Sequence, residues 1–119
     1  MEEPKALLEA IRSTRFHYTS EDDLQRGLAA LLDQLGVQYE REFHLDAQSR
    51  IDFLVEGGLG VEMKIDGPVS ELGYQILRYL QHDAVKAMLV VTTRSSHRDL
   101  PPALEGKPVW VVYLFTSAF

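Results

Sequence analysis

Residues 50–64, RIDFLVEGGLGVEMK, decide the fold because two short β patterns flank a glycine-containing loop. Residues 50–55 and 59–65 each alternate apolar and polar side chains, which predicts the two strands of a hairpin. Each strand carries three apolar side chains at alternate positions: Ile51, Phe53 and Val55 on the first, and Val61, Met63 and Ile65 on the second. Both apolar sets can face one core only if the loop between the strands has an odd number of residues, so we expect such a loop.

The same parity places the polar residues Asp52, Glu62 and Lys64 together on the other face of the hairpin. A two-residue turn at Gly57 and Gly58 would separate them. Two carboxylates and a lysine suit Mg²⁺-dependent phosphodiester chemistry, because Mg²⁺ takes one or two protein carboxylates and keeps sites for waters and substrate phosphate. The alternative interpretation is a solvated polar face in which Lys64 bridges the two acids.

The rest of the chain predicts further helices and strands around this hairpin. Ser20 is typical of a helix N-cap and Gly36 of a helix end, and Asp66-Gly67-Pro68 breaks the chain. The predicted segments are a helix at 4–12, a helix at 20–36, a strand at 37–45, a helix at 69–83, a strand at 85–93, a loop at 94–104 and a strand at 109–115. This order predicts an α/β fold with a mixed sheet flanked by helices, in a single domain over residues 1–119.

Amino-acid composition excludes several classes of function. The 119 residues include 18 acids and 12 bases, for a formal net charge of −6, which argues against a protein that coats nucleic acid through bulk charge. The chain has no cysteine, which excludes disulfides, thiolate zinc sites, iron–sulfur clusters and cysteine nucleophiles. No stretch has the length of a membrane span and the N-terminus is acidic, so we expect a cytoplasmic protein without a membrane partner.

The spacing Asp52-x9-Glu62-Met63-Lys64 resembles the PD-(D/E)xK nuclease superfamily. The element order over residues 20–93 is similar to the restriction-endonuclease-like αβββαβ core of that family, here with an extra short N-terminal helix and a C-terminal strand. The resemblance implies that Asp52, Glu62 and the Met63 carbonyl bind metal and that Lys64 positions the attacking water. Ile51 stands where the namesake proline would be.

Two further positions carry the resemblance. Glu21 matches the helix glutamate that joins the metal site in this family, although an acid in a first helical turn also needs no metal to be favourable. Gln75 and Tyr79 match the Gln-x-x-x-Tyr signature of the RecB-like branch and share one helix face, so both are candidate catalytic residues. A Gln–Tyr pair that serves packing alone is the alternative.

The resemblance implies a DNA-binding hydrolase, a Mg²⁺- or Mn²⁺-dependent deoxyribonuclease. We expect a structure-selective or partner-directed endonuclease in a bacterial, archaeal or phage-infected cell. The alternative is a non-catalytic DNA- or protein-binding subunit on the same fold. The strand at 109–115 is apolar on both faces, which favours burial by other elements or by a second copy. A homodimer and a larger nuclease complex both stay open.

Other polar residues carry weaker indications. The basic, hydroxyl-rich loop at 92–98, together with Arg12, Arg15 and Arg78, is a candidate for phosphate contacts. The histidines lack the spacing of metal ligands, so we expect surface or helix-capping positions for all of them: His17, His44, His82 and His97.

Overall fold

A computed structural model describes residues 1–114 of the chain and shows an α/β arrangement of three helices, a short 3₁₀ helix and six strands within that range. The helices are α1 (Lys5–Ser13), α2 (Glu21–Leu35) and α3 (Val69–Leu80), and the 3₁₀ helix covers Ser95–Asp99. The strands are β1 (Tyr39–His44), β2 (Arg50–Val55), β3 (Leu59–Lys64), β4 (Ala87–Thr92), β5 (Ala103–Leu104) and β6 (Lys107–Tyr113).

The strands form one mixed sheet in the order β1-β2-β3-β4-β6-β5. The meander β1-β2-β3 is antiparallel, whereas β3, β4 and β6 run parallel and therefore need crossover connections. Helix α3 provides the crossover from β3 to β4. The predicted α/β class with a mixed sheet flanked by helices is confirmed at this level.

The sheet buries an apolar cluster on each face. The α1/α2 cluster lies under the first two helices and includes Leu8, Leu28, Phe53, Val61, Met63 and Leu89. The α3 cluster lies under the third helix and includes Ile51, Leu72, Ile76, Tyr79, Met88 and Val90. Because both faces of the parallel strands are covered, β4 is buried along its whole length and is apolar from Ala87 to Val91.

Local signals set the ends of α2 as the sequence predicts. The Ser20 hydroxyl accepts the Asp23 N–H at 3.1 Å, which satisfies one of the free N–H groups of the first turn. Gly36 ends the helix with a left-handed φ of 71°, a conformation that costs glycine little.

The C-terminal strand β6 is covered on both faces by the same chain. Val109 and Val111 pack with the α3 cluster, and Trp110 and Val112 pack with the α1/α2 cluster. The expected burial by other elements is therefore confirmed up to Leu114, while the predicted end at residue 115 lies outside the described residues. A homodimer stays a prediction.

Several boundaries differ from the sequence prediction; β4 begins at Ala87 rather than at residue 85, and β6 begins at Lys107 rather than at residue 109. Residues 94–104, predicted as loop, contain the 3₁₀ helix and the two-residue β5, which pairs with the start of β6. Helix α3 ends at Leu80 rather than near residue 83, because the chain tightens into turns where Gln81 and His82 donate to Arg78 and Tyr79. Strand β1 is shorter by two residues at its start and one at its end. None of the helices within residues 1–114 has the length and apolar character of a membrane span.

Lys107 holds the turn after α3. Its Nζ donates to the carbonyl oxygens of Leu80 at 2.7 Å, His82 at 3.2 Å and Val85 at 2.7 Å. A cation is favourable at a helix C-terminus, and all three of its N–H groups have acceptors.

Replacing Lys107 with Met is therefore expected to lower the free energy of unfolding by about 2 kcal/mol, because three carbonyl groups lose a charged donor. Urea denaturation at constant pH measures this change. Lys86→Met is the matched control, since Lys86 is exposed and carries the same charge. A loss for Lys107→Met no larger than that of the control would contradict the capping role.

Candidate active site

The loop between β2 and β3 has three residues, Glu56 to Gly58, because Val55 pairs directly with Leu59. Gly57 and Gly58 have φ values of 86° and 93°, which suit glycine. The predicted odd-length loop is confirmed. The β2–β3 ladder continues from this loop to the pair Phe53–Val61.

Beyond that pair, two carboxylates replace the regular ladder. The Asp52 Oδ2 accepts the Met63 N–H at 2.8 Å, and the Glu62 Oε1 accepts the Asp52 N–H at 3.3 Å. Each acid thus caps the backbone of the neighbouring strand. The two strands separate here, and the carboxylates lie in the gap between them.

The face that β2 presents to the core changes at the same point. Phe53 and Val55 pack in the α1/α2 cluster as predicted, but Ile51 packs in the α3 cluster, so the expectation that all three share a face is wrong. The ladder with β1 pairs Arg41 with Phe53 and then Phe43 with Ile51, and the residue between, Glu42, has a left-handed φ of 51°. This local twist at position 42, opposite Asp52, moves Ile51 to the other face.

Glu62 is nearly inaccessible, with 3% of its surface exposed, and lies next to Lys64. The Lys64 Nζ is 3.9 Å from the Glu62 Oε2. Burial and, to a smaller extent, the negative charge of Asp52 raise the pKa of Glu62 to about 8. Burial also raises the pKa of Asp52, while the hydrogen bond from Met63 opposes that shift. When both acids are ionised, one lysine does not balance their negative charge.

Glu21, at the start of α2, also contacts the end of β3. Its Oε2 accepts the Ile65 N–H at 3.3 Å, and its charge contributes to the raised pKa of both Asp52 and Glu62. The N–H groups of Met63 and Ile65 are two residues apart on one edge of β3, roughly 7 Å. Asp52 and Glu21 therefore bind successive N–H groups along the same edge.

The Met63 carbonyl faces the same gap. In a strand, the N–H and C=O of one residue point to one side and successive residues alternate sides. The Lys64 carbonyl accepts the Thr93 N–H on the β4 side at 3.1 Å, so the carbonyl of Met63 points to the β2 side. That position lies between the N–H bound by Asp52 and the N–H bound by Glu21.

Gln75 and Tyr79 meet the cluster from α3. The Gln75 Nε2 donates to the Tyr79 hydroxyl at 2.9 Å, and this hydroxyl donates to the Arg50 carbonyl at 3.0 Å. Burial and the negative charges of Glu62 and Asp52 raise the pKa of Tyr79. Tyr79 is 2% exposed, so it orients the Gln75 amide rather than facing solvent.

His97 is a structural residue that the sequence did not indicate. It is completely buried, so its expected surface or capping position is wrong. Its Nε2 donates to the Gly67 carbonyl at 2.8 Å, and its Nδ1 therefore accepts from the Thr92 hydroxyl at 2.6 Å. The imidazole connects the end of β4 to the loop that follows β3. Its two partners lie 5 and 30 residues away in the sequence, so the sequence pattern around His97 did not indicate this role.

The loop at 92–98 is also used within the fold. The Thr93 hydroxyl donates to the Ile65 carbonyl, and Arg94 forms an ion pair with Asp66 at 2.8 Å. The Arg98 guanidinium lies over the Tyr113 ring at 4.7 Å. These contacts hold the chain next to Lys64 and give the loop a structural role.

The described residues bring Asp52, Glu62, Lys64, Met63 and Glu21 to one gap at the end of β3. Within residues 1–114 no three acidic or histidine side chains converge closely enough, as they stand, to hold a metal ion. Comparison with known proteins gives no match. No family model matches the chain, and neither a curated protein nor a solved structure is similar to it. Function is therefore argued from the site.

Proposed function

We propose that this chain is a Mg²⁺- or Mn²⁺-dependent DNA nuclease with a restriction-endonuclease-like fold of the PD-(D/E)xK superfamily. The observation that carries the proposal is the gap between β2 and β3, where Asp52 and Glu62 each bind the other strand's backbone and Lys64 lies beside them. Buried acids that are not balanced by charge are costly to a fold, which favours a role for them in binding a cation.

The residues present fit a magnesium ion. Asp52 and Glu62 each use one oxygen for a backbone N–H and have a second oxygen for a cation, and the Met63 carbonyl faces the same gap. Two carboxylates and a carbonyl are enough for Mg²⁺, which keeps several waters. Glu21 lies further along the strand edge and would add a third carboxylate near the ion.

Each side chain then has a defined task in hydrolysis of a phosphodiester. A divalent cation supplies neutralisation of phosphate charge and acidifies a nearby water. Lys64 orients the attacking water and stabilises negative charge on the phosphate in the transition state. Tyr79 holds the Gln75 amide towards the site, so that Gln75 positions the substrate.

The second candidate function is a non-catalytic DNA- or protein-binding subunit on the same fold. It is favoured by the finding that, in the described range 1–114, three metal-binding side chains do not converge. It is opposed by the retained set of Asp52, Glu62 and Lys64, since a site without a cation has no physical reason to bury two acids together.

Calorimetric titration with Mn²⁺ separates the two functions. Wild-type protein is expected to bind Mn²⁺ and to cleave single-stranded, branched or duplex DNA when Mg²⁺ or Mn²⁺ is present. Asp52→Ala is expected to lower Mn²⁺ affinity at least tenfold, because one of two carboxylate ligands is lost. Asp66→Ala is the control, since Asp66 is an exposed acid bound to Arg94. If Asp52→Ala and Asp66→Ala bound Mn²⁺ with equal affinity, or if the wild-type protein cleaved none of these substrates, the proposed nuclease function would be wrong.

A further inference from the structure

A cleft of about 440 Å³ opens beside Lys64, between the loop after β3 and helix α3. Its helix wall includes Leu72 and three polar residues, Glu71, Gln75 and Arg78, which follow the i, i+4, i+7 spacing of one helix face. Gln75 is the residue whose amide Tyr79 fixes. The cleft therefore continues directly from the candidate active site.

The cleft is lined by side chains of both charges. Lys64 and Arg78 contribute two cations, and the carboxylate of Asp66 is already paired with Arg94. Glu71 lies seven residues before Arg78, about 10 Å along the helix axis. Lys64 and Arg78 thus offer cations to a phosphate, and Glu71, one to two helical turns from Arg78, offers an acceptor for N–H groups.

An exposed aromatic residue, Tyr74, is a helical neighbour of the cleft residues Glu71 and Arg78, three residues after the first and four before the second. Tyr74 is 69% exposed, the most exposed large apolar side chain of the described chain. It precedes Gln75 directly and lies one helical turn before Arg78 on the same face. An exposed tyrosine ring is a platform on which a nucleobase stacks, provided that the base is not already stacked on both sides.

We propose that this cleft binds one unpaired nucleotide of the DNA substrate next to the scissile phosphate, a proposal that rests on the proposed nuclease function. The phosphate lies at Lys64 and Arg78, and the base lies against Tyr74 with its N–H groups towards Glu71. The volume of the cleft suits a single nucleotide, and a base inside a duplex has no free face for Tyr74. A net charge of −6 also leaves little bulk attraction for a duplex, so affinity has to come from local contacts.

The binding of DNA is measured by fluorescence anisotropy with two labelled probes, a single strand of ten nucleotides and a hairpin duplex of ten base pairs. Each probe is tested in EDTA and in Ca²⁺, and gels verify that it stays intact. We expect the single strand to bind more tightly than the duplex. Tyr74→Ala and Arg78→Ala are each expected to lower its affinity about tenfold, through lost stacking and a lost phosphate contact.

Two control variants remove the same chemistry elsewhere. Lys86→Ala removes an exposed cation next to the β2–β3 loop, at the other end of the sheet, and Leu35→Ala removes another exposed apolar side chain. Both are expected to bind the single strand as wild type does. A tenfold loss of affinity in Lys86→Ala would show that binding depends on net charge and not on the cleft, which would overturn the proposal. Equal binding of strand and duplex, or no binding in either buffer, would also overturn the proposal.

A competition arm identifies the source of the nucleotide. Deoxyadenosine monophosphate is expected to displace the single strand only at millimolar concentration, because it lacks the neighbouring nucleotides. Displacement at micromolar concentration would mean that the cleft serves a free nucleotide, which overturns the proposal. Cleavage of the same strand with Mg²⁺ is measured separately. If binding of the strand depends on Tyr74 but the wild-type protein does not cleave it, the proposed nucleotide site stands and the proposed nuclease function is wrong.

Discussion

Lys64→Ala is expected to lower the rate of metal-dependent DNA cleavage by about 10³-fold while Mn²⁺ still binds. The Lys64 ammonium lies 3.9 Å from Glu62 and is partly exposed towards the cleft, where a phosphate would lie. Removing one preorganised donor to a transition state costs about 10²- to 10³-fold in rate, and here the donor also carries a charge. The carboxylate ligands stay in place, so cation binding is retained.

The measurement is single-turnover cleavage of the best substrate with Mg²⁺ at saturating protein. It is made at pH 7 and again at pH 9, because the positive charge of Lys64 lowers the pKa of Glu62 and its loss favours protonation of that acid. If the deficit disappeared at pH 9, Lys64 would act only through Glu62. Lys86→Ala is the charge-matched control and is expected to retain wild-type rates. If the cleavage rate of Lys64→Ala were within tenfold of the wild-type rate at both pH values, the proposed role of Lys64 in catalysis would be wrong.

Features with local causes were predictable from sequence. Ser20 and Gly36 end α2 through a side-chain cap and a left-handed φ, both properties of single residues. The bounds of β2 and the odd loop after it follow from side-chain alternation and parity. The same parity places Asp52 next to Glu62, although it puts Ile51 on the wrong face of the sheet.

Features that depend on distant partners were not predictable in this way. The side on which Ile51 packs depends on the left-handed φ of Glu42 across the ladder, which alternation alone does not contain. The contact of Glu21 with Ile65 spans 44 residues, so sequence left its helix-terminal and site roles equally open. His97 is buried only because Gly67 and Thr92 provide its two partners.

The free energy of unfolding of the metal-free protein is expected to fall as pH rises from about 4.5 to about 8. The pKa of Glu62 is raised from 4.5 to about 8 by burial and by Asp52, so between these values the native state holds a proton that the unfolded state has lost. Stability from the protonated acid is complete below pH 4.5 and is lost by pH 8. One proton corresponds to a slope of about 1.4 kcal/mol per pH unit. The raised pKa of Asp52 acts in the same direction.

Glu62→Gln removes this titration and keeps the shape of the side chain. In urea denaturation series with EDTA, the variant is expected to show a shallower fall with pH and to exceed wild type in stability at pH 8. Glu56→Gln, an exposed acid in the loop after β2, is the control and should follow wild type. Mn²⁺ at pH 8 is expected to stabilise wild type but not Glu62→Gln, because a cation binds the ionised acids that protons otherwise neutralise. Parallel pH profiles for wild type and Glu62→Gln would mean that Glu62 is ionised at little cost, and the argument that its burial calls for a cation would then fail.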